Sequence, residues 1–449
     1  MQKAKRCLLR RLREADASAR LSCAVMGLGC LRHGQVAKGL LYLAAEGLFI
    51  AYMACFGGRY LAKFGTLGDT AQARVWSEEL QIYQRIPGDN SMLILLYSVL
   101  SIALCVLFVV IWRMNLLSAC RACERARAGE KQPSLLVEAR ALLDERFHVT
   151  LLSAPMVSLL LFTVLPIFMV LIAFTNFDAD HQPPGSLFTW TGITNVTDVF
   201  LGNAVKTRTF FGIFGWTMVW AVLATFTNYI FGLLLAVVIN NKLVKAKKTW
   251  RTLFIIPVAI PQFVSLLLIS RALEPSGAIN VALMELGWID APLPFLLDER
   301  LARVAVVVIN MWIGIPYTMM TFSGVLMNIP SELYESAEMD GAGPVRRFFS
   351  ITLPYMVFVT TPQTITTFVA NINNFNVIYL LTAGGPFSLD YYQAGKTDLL
   401  VTWLYKLTVD HHDYALASTI GIFIFMLVSL CSLAVYNRSR AVRKEDMFQ

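Results

Sequence analysis

The chain contains 449 residues, of which 56% are hydrophobic and only 15% are charged. Soluble proteins carry about a quarter charged residues, so this composition excludes an ordinary soluble domain and indicates a chain surrounded by a lipid bilayer. The net charge of +8 requires no nucleic acid, because basic residues retained on cytoplasmic loops give membrane proteins the same excess.

Apolar runs close to the thickness of a bilayer predict an all-α, polytopic membrane helix bundle with about eight transmembrane helices. The predicted spans are 40–56, 92–112, 151–174, 211–239, 253–270, 304–326, 355–372 and 415–436. Glu46, which interrupts the first span, is the only clearly ionisable side chain predicted inside the bundle.

Basic residues are concentrated in alternate connections between these spans. They include Arg10, Arg11, Arg13, Arg121, Arg125, Arg127, Lys131, Lys242, Lys245, Lys247, Lys248, Arg251, Arg346, Arg347, Arg438, Arg440, Arg443 and Lys444. Positive charge resists translocation across the membrane. An even number of spans with both termini in the cytoplasm places every one of these basic clusters on the cytoplasmic side.

Sequence motifs for catalysis are absent. The chain contains no GxxxxGK[ST], HExxH or GxSxG string, so we expect no ATPase site of its own, no enzyme activity and no cofactor. Cys120 and Cys123 form a single CxxC without a second pair or a nearby histidine cluster, which predicts two reduced thiols and no metal site.

Several later spans contain uncharged polar residues and helix breakers. They are Pro257, Pro261, Gln262, Asn310, Gly314, Pro316, Tyr317, Pro362, Gln363, Asn371, Asn373 and Asn374. Interrupted helices near the midplane expose groups that can bind a substrate, and side-chain amides suit a neutral, hydroxyl-rich molecule. The same asparagines can instead join helices to one another, and both interpretations remain open.

The connection after the sixth predicted span has a distinctive spacing. Residues 334–342 read YESAEMDGA, and eight residues later 351–354 read ITLP. Ser331 is predicted to cap the helix that begins after Pro330. The pattern resembles the EAA loop of binding-protein-dependent ABC importer permeases, with Ser336 in place of the first alanine.

That resemblance implies a type I ABC importer permease fold and a coupling loop at 331–349 that docks in a groove of an ATPase subunit. Glu335 is implied to pair with a basic residue of the ATPase, and Gly341 to set the turn. The implied coupling residues are Glu335, Ala337, Met339, Asp340, Gly341, Ala342 and Phe348.

Further motifs are similar to the carbohydrate branch, specifically the larger, MalF-type permease of maltose and maltodextrin importers. These are NMWIGIPY at 310–317, NNFNVIYLLTAGGP at 373–386 and TDLLV at 397–401. The resemblance implies that glucosyl units contact Gly314, Tyr317, Thr367, Asn371 and Asn374. Ala370 departs from the pattern, since an aromatic platform is expected there in a tight maltose site.

The resemblance also predicts the organisation of the chain and its surroundings. Residues 1–150 are expected to form an N-terminal cytoplasmic segment and two accessory transmembrane helices. Residues 151–449 are expected to hold a third accessory helix and the core transmembrane domain at about 205–436, in a multi-pass protein of the bacterial cell membrane.

The implied partners are a second, MalG-like permease subunit, a MalK-like ATPase dimer and an extracellular sugar-binding lipoprotein. The lipoprotein is suggested by the stretch 27–39, GLGCLRHGQVAKG, which is similar to an extension of Gram-positive sugar permeases. The sequence thus predicts half of the pathway of an importer for maltodextrin-type oligosaccharides. A permease for another oligosaccharide or a sugar alcohol, and an ion-coupled secondary carrier, are the alternatives.

Overall fold

A computed structural model describes residues 8–438 apart from 79–80, 135–136, 138–139, 142, 145–146 and 242. The chain divides into two compact units, Met1–Gly192 and Ile193–Gln449. Within the described residues, the strands are confined to a single two-stranded sheet and all other regular elements are helices. The predicted all-α class is therefore confirmed.

Four of the basic residues used to predict orientation lie outside the described residues. They are Lys242, Arg440, Arg443 and Lys444.

The first unit contains both short and membrane-length helices. They are α1 Leu8–Glu14, α2 Ala17–Leu21, α3 Leu28–Arg32, α4 Val36–Ala62, α5 Ser91–Arg127 and α6 Phe147–Ile172. A π turn at Met53–Gly57 interrupts α4. Asn90 caps α5, since its Oδ1 accepts a hydrogen bond from the Leu93 N–H at 3.1 Å.

The short N-terminal helices pack on the second half of α5. Small side chains allow this close approach, and the buried cluster consists of Ala15, Ala19, Ala119, Cys120 and Cys123. The Arg11 guanidinium donates two hydrogen bonds to the Glu124 carboxylate, at 2.9 and 2.7 Å. Asn115 of α5 accepts from the Gly27 N–H and donates to the Ser22 carbonyl. These polar contacts fix the N-terminal helices against α5.

An antiparallel hairpin follows α4, with β1 at Ala73–Ser77 and β2 at Ile82–Ile86. Trp76 pairs with Tyr83 across the strands, with ring centroids 5.0 Å apart. The sequence analysis predicted no strand here. Nearly all side chains of both strands are exposed, so the alternation of buried and exposed residues that reveals a strand is missing.

Asp89 closes the loop that carries this hairpin. Its carboxylate accepts a hydrogen bond from the Lys63 ammonium at 2.5 Å, and from the backbone N–H groups of Asp69 and Thr70 at 3.0 and 3.4 Å. The bond from Lys63, assisted by the backbone donors, holds the pKa of Asp89 below its usual range. The ionised carboxylate therefore stabilises the closed loop.

Asp89→Asn is expected to increase tryptic cleavage at Arg74 and Arg85 up to about fivefold at neutral pH, since partly exposed ion pairs are worth about 0.2–1 kcal/mol. Because the folded-state pKa is lowered, the stabilisation exists above the ordinary carboxyl pKa of about 3.9 and is lost as the pH falls through the lower folded value. Asp69→Asn is the control, because Asp69 bonds to the Asp89 carboxylate through its backbone N–H, which the substitution leaves in place. Equal cleavage of both variants would contradict this role.

The second unit begins with a short helix and continues through a larger bundle. Its helices are α7 Thr194–Thr197, α8 Ala204–Asn240, α9 Lys247–Ala259, α10 Gln262–Ala272, α11 Ala278–Glu285, α12 Glu299–Leu326, α13 Ser331–Met339, α14 Pro344–Arg347, α15 Leu353–Ile372, α16 Phe375–Thr382, α17 Leu400–Val409 and α18 Tyr414–Arg438. π turns at Asp198–Gly202 and Phe348–Thr352 join adjacent pieces.

Helix α8 forms the centre of this unit and packs against α12 and α15. Two buried tryptophans of α8 link it to later segments by their indole N–H groups. Trp220 donates to the Asn371 carbonyl and Trp216 to the Thr397 carbonyl, both at 3.1 Å. The core is thus closed by contacts between residues far apart in the chain.

Within the described residues, six helices are long and apolar enough to span a membrane. They are Val36–Ala62, Ser91–Arg127, Thr150–Ile172, Ala204–Asn240, Glu299–Leu326 and Tyr414–Ala434. Counting α9 and α10 as one bent span gives seven. The predicted count of eight is one higher, because it includes a span at 355–372. The helix at that place, α15, contains threonine, glutamine and asparagine and is less apolar than the six helices just named.

The bend between α9 and α10 is 83°. It falls at Pro261, which has no N–H to donate and whose ring excludes the preceding residue from helical geometry. Ile260 accordingly adopts an extended ψ of 130°. The sequence predicted a span at 253–270 with Pro257 and Pro261 as helix breakers, and the structure divides it at Pro261.

The division between the two compact units falls at Gly192. The expected division at residue 150 separates accessory helices from the permease region and stays a prediction. Helix α6 packs on α5 and therefore belongs to the first unit.

Candidate functional site

A small cavity lies between three helices of the second unit. Its lining residues are Thr225, Asn228 and Tyr229 from α8, Gly314, Tyr317, Thr318 and Phe322 from α12, and Gln363, Thr364 and Thr367 from α15. Its volume is about 120 Å³. The polar side chains are hydroxyls and amides, and none of the lining residues carries a charge. Such groups bind neutral molecules that bear hydroxyl groups.

The helical repeat explains why these residues share the cavity. On each of the three helices the lining residues are separated by three or four positions, so they project from the same face of that helix. This periodicity is visible in the sequence. The sequence analysis followed helix breakers and motif resemblance instead, and did not identify Thr225, Asn228, Tyr229, Thr318, Phe322 and Thr364.

Two glycines allow α8 and α12 to approach each other closely. A Cβ atom at Gly314 would collide with the side-chain amide of Asn228, and one at Gly232 would lie 2.6 Å from the Thr318 side chain. Absence of a side chain at Gly314 therefore leaves room for Asn228 at the wall of the cavity.

Asn228 has unused hydrogen-bonding capacity. The residue is 8% exposed, and its Oδ1 has no hydrogen-bond partner among the described residues. A buried acceptor left unpaired costs about 1–3 kcal/mol. Because Asn228 lines the cavity, a hydroxyl of a bound molecule can pair with this oxygen.

Three of the five residues with an implied substrate role line the cavity, namely Gly314, Tyr317 and Thr367. Asn371 is not among the lining residues. It is buried, and its amide donates to Thr225 Oγ1 at 3.0 Å. It therefore adjoins the cavity wall through one hydrogen bond.

Asn374 has a structural position. Its Oδ1 accepts from the Val377 N–H at 3.2 Å and caps α16, while its amide donates to Asn371 Oδ1 at 3.3 Å. The cap satisfies a helix N–H that would otherwise lack a partner. Ala370 is exposed and is also not among the lining residues.

The predicted coupling loop contains a well-formed helix ending. Gly341 adopts φ +78°, its N–H donates to the Glu338 carbonyl at 3.0 Å, and the Ala342 N–H donates to the Ala337 carbonyl at 2.9 Å. This pair of bonds is the Schellman ending, in which glycine tolerates the left-handed conformation. Asp340 is the C-cap residue, so the Asp-Gly-Ala sequence defines where the chain turns.

The surface of this loop is largely exposed. Glu335 is exposed, with no ion pair to another described residue, whereas Glu338 pairs with Arg347 at 3.0 Å. Met339 is 88% exposed. Glu335 and Met339 therefore both lie on the surface of α13.

Phe348 is half-buried and packs against the cluster that includes Met319 and Met356. The neighbouring Phe349 is 61% exposed, and the two rings meet edge to face with centroids 5.2 Å apart. Phe349 is therefore the more accessible of the two for contact with another protein, although the sequence analysis selected Phe348.

The predicted cap at Ser331 is wrong. Pro330 occupies the N-cap position with φ −57° and ψ 132°, and α13 has no side-chain cap hydrogen bond. Ser331 is the first residue of the helix rather than its cap. Pro330, directly before it, has the backbone angles of the residue that precedes a helix. Glu332 lies in the first turn, where the helix dipole favours an acidic residue.

Comparison with known proteins identifies the family. Residues 228–441 match the family described as "Binding-protein-dependent transport system inner membrane component". The chain is 30% identical over 446 residues to the maltodextrin transport system permease protein MdxF of Bacillus subtilis (strain 168), a match that covers 97% of this chain and 98% of MdxF. The chain belongs to this family.

Other members give the same assignment. The galactooligosaccharides transport system permease protein GanP of Bacillus subtilis (strain 168) is 31% identical over 424 residues, covering 94% of this chain and 97% of GanP. The maltose/maltodextrin transport system permease protein MalF of Escherichia coli (strain K12) is 37% identical over 276 residues, covering 60% of this chain and 52% of MalF. The predicted relationship to MalF-type ABC importer permeases is confirmed.

A solved structure supports the fold of this family. It is described as a crystal structure of a bacterial ABC transporter involved in the import of the acidic polysaccharide alginate. The match has a TM-score of 0.52 at 22% identity and covers 68% of this chain and 98% of that chain. The protein is thus a multi-pass membrane permease with an ABC importer fold.

Glu46 is hydrogen-bonded within the first unit. Its Oε2 accepts a hydrogen bond from the Met26 N–H at 2.7 Å, so it joins α4 to the segment before α3.

Proposed function

We propose that this permease forms half of the translocation pathway of an ATP-driven importer for maltodextrin-type oligosaccharides. The observation that carries the proposal is the neutral cavity between α8, α12 and α15, lined by hydroxyls and amides and containing the unpaired Asn228 Oδ1. A charged polysaccharide would call for basic lining residues, and a glucan does not. Relatives named as maltodextrin permeases support the same substrate class.

The size of the cavity supports a second permease subunit, which is expected to be MalG-like. The volume of the cavity, 120 Å³, is well below that of pockets that enclose small molecules, which is about 300–1,000 Å³. Tyr317, on its wall, is 55% exposed. A second permease facing α12 would enlarge the cavity and cover this ring.

The energy source is proposed to be a MalK-like ATPase dimer, because this chain contains no phosphate-binding motif of its own. The loop 331–349 would dock on one ATPase copy, with Glu335, Ala337, Met339, Asp340, Gly341, Ala342 and Phe348 at or beside the contact. An extracellular sugar-binding lipoprotein would deliver the substrate.

The proposed orientation has both termini in the cytoplasm. Residues 1–150 then provide the N-terminal segment and two accessory helices, and the core transmembrane domain lies at about 205–436. The permease supplies no chemical step. ATP binding to the ATPase would favour one of two states, inward-facing or outward-facing. The permease would contribute a shift in population between these states.

The test is to purify the full chain from its native membrane and identify the proteins that accompany it by mass spectrometry. The expected result is a second permease and an ATPase, with ATP-dependent uptake of labelled maltodextrin once the binding protein is added. Recovery of the chain alone, with sugar transport driven by an ion gradient, would instead establish a secondary carrier and refute the proposal.

A galactooligosaccharide is the second candidate substrate, because the relative GanP is as similar to this chain as MdxF is. The cavity suits any neutral sugar, including a sugar alcohol. Competition of unlabelled galactooligosaccharide, sorbitol and maltotriose for uptake of labelled maltodextrin separates these candidates.

Tyr317→Ala is expected to lower maltodextrin uptake up to about tenfold, because an aromatic contact is worth about 0.5–1.5 kcal/mol. Tyr317→Phe retains the ring and is expected to keep most of the activity. Uptake and the amount of assembled complex are measured together. Normal uptake by Tyr317→Ala would remove this residue from the sugar pathway.

A further inference from the structure

Three side chains capable of binding a metal meet beside the N-terminal helices. They are the Asp16 carboxylate, the His33 imidazole and the Cys123 thiol, and their ligand atoms all lie within 4.8 Å of one another. Asp16 precedes α2, His33 follows α3 and Cys123 belongs to α5. The three residues come together only in the folded first unit.

The imidazole has an incomplete environment. His33 Nε2 is enclosed and forms an ion-pair contact of 3.2 Å with Asp16 Oδ2, although the two atoms are not in good hydrogen-bonding geometry. A buried polar atom of this kind calls for an explanation, and a bound metal ion would supply one.

The Asp16 carboxylate is held in place by neighbours. Its Oδ1 accepts from the Ala19 N–H at 3.0 Å, and its Oδ2 accepts from the Ser18 hydroxyl at 2.7 Å. Hydrogen bonds of this type orient the ligands of metal sites. Oδ2 retains a lone pair for a further partner on the side of His33.

We propose that Asp16, His33 and Cys123 bind a divalent transition metal of the zinc class. Carboxylate oxygen, imidazole nitrogen and thiolate sulfur are the ligands that Zn²⁺ takes in proteins. Mg²⁺ and Ca²⁺ prefer oxygen ligands alone, so the thiol and the imidazole select against them. Cys123 binds as the thiolate and releases its proton to solvent.

The distances are compatible with such a site. Tetrahedral zinc separates an oxygen and a nitrogen ligand by about 3.3 Å, and a sulfur ligand from either by about 3.5 Å. The Asp16–His33 separation of 3.2 Å already meets this requirement, and the thiol, within 4.8 Å of both, needs to approach by at most about 1.3 Å. The side chains of His33 and Asp16 are 14% and 30% exposed, which leaves a path for water as the fourth ligand.

Bound metal would fasten the N-terminal helices to α5. The buried cluster between them consists of small side chains, which bury little apolar area, so a metal bridge adds substantially to this contact. In the proposed orientation the site faces the cytoplasm, where thiols remain reduced. The CxxC motif contributes one of its two cysteines, and the other ligands come from distant parts of the sequence.

The test uses the full chain in detergent, stripped with a chelator and then titrated with Zn²⁺ and with Co²⁺. The expected result is one Zn²⁺ per chain and, with Co²⁺, the intense ultraviolet band of a thiolate–metal bond. Cys123→Ser and His33→Gln are expected to weaken Zn²⁺ binding at least tenfold, and Cys123→Ser to abolish the band. Asp16→Asn preserves the helix cap and removes the anionic ligand, so it reports on binding without unfolding α2.

Cys120→Ser is the matched control, since Cys120 lies one turn away on α5 and is equally buried. It is expected to retain both the band and the affinity. Trypsin cleavage at Arg13 and Arg20 provides a second measurement, and removal of Zn²⁺ is expected to accelerate it in the unmodified chain but not in Cys123→Ser. Zn²⁺ binding that is absent, unaffected by Cys123→Ser, or lost equally in Cys120→Ser would overturn the site.

Discussion

Replacing Glu335 with lysine is expected to reduce ATP-driven uptake about 30-fold or more while leaving the permease inserted in the membrane. The carboxylate is exposed, with no ion pair to another described residue, so its loss leaves the permease fold intact. At an interface, losing one partner of a charged, hydrogen-bonded pair costs about 2–5 kcal/mol. Uptake, substrate-stimulated ATP hydrolysis and the amount of assembled complex are the quantities to measure.

Glu332→Lys is the matched control, because it reverses the same charge three residues earlier in α13, where Glu332 is also exposed. It is expected to retain most of the uptake. A basic-to-acidic change in the ATPase groove that restores uptake to Glu335→Lys would identify the partner residue. If both lysine variants transport normally, the docking role of α13 fails.

Lys406→Met is expected to destabilise the second unit by about 3–5 kcal/mol, because it leaves a buried carboxylate without its counter-charge. Lys406 and Asp398 are 4% and 0% exposed, and the ammonium donates to Asp398 Oδ2 at 2.6 Å. The same carboxylate accepts from the Gly395 N–H and the Thr402 hydroxyl. The midpoint of thermal aggregation of the detergent-solubilised protein is expected to fall by about 10 °C.

The double variant Lys406→Met with Asp398→Asn tests the cause of that loss. The neutral amide can still accept from Gly395 and Thr402, and the unpaired charge is removed, so at least half of the stability is expected to return. A double variant no more stable than Lys406→Met alone would show that the methylene chain of the lysine, rather than its charge, supports the fold.

The positions of the long helices could be predicted because they depend on local composition. A run of apolar residues between charged or turn-forming ends marks α5, α8 and α12 regardless of what they pack against. Helix α15 shows the limit of that reasoning. Thr364 and Thr367 line the cavity and Asn371 bonds to α8, so the place of α15 in the bundle was inferred although its composition alone does not qualify it.

The candidate cavity could be predicted only in part. Gly314 and Tyr317 were identified by resemblance to a motif, whereas Asn228 is separated from them by more than eighty residues and has no motif of its own. Its role depends on the close approach that Gly314 permits. Asn374 shows a further limit, since an amide beside a pathway is difficult to distinguish in sequence from a helix cap, and this residue caps α16.

The N-terminal residues could not be assigned from sequence for a related reason. Asp16, His33 and Cys123 have no characteristic spacing, and their meeting depends on how the short helices pack on α5. Local patterns identify metal sites whose ligands are close in the chain. A site assembled from three separate segments becomes visible only in the folded unit.

The bend at Pro261 has a consequence for the biosynthesis of the protein. Helices α9 and α10 contain 13 and 11 residues, so they are about 20 and 16 Å long, and neither crosses an apolar layer of about 30 Å. Pro261, which has no N–H to donate, separates the two halves, so they do not form one continuous helix. The nascent segment is therefore expected to integrate late, after α12 has been synthesised and can pack against α9.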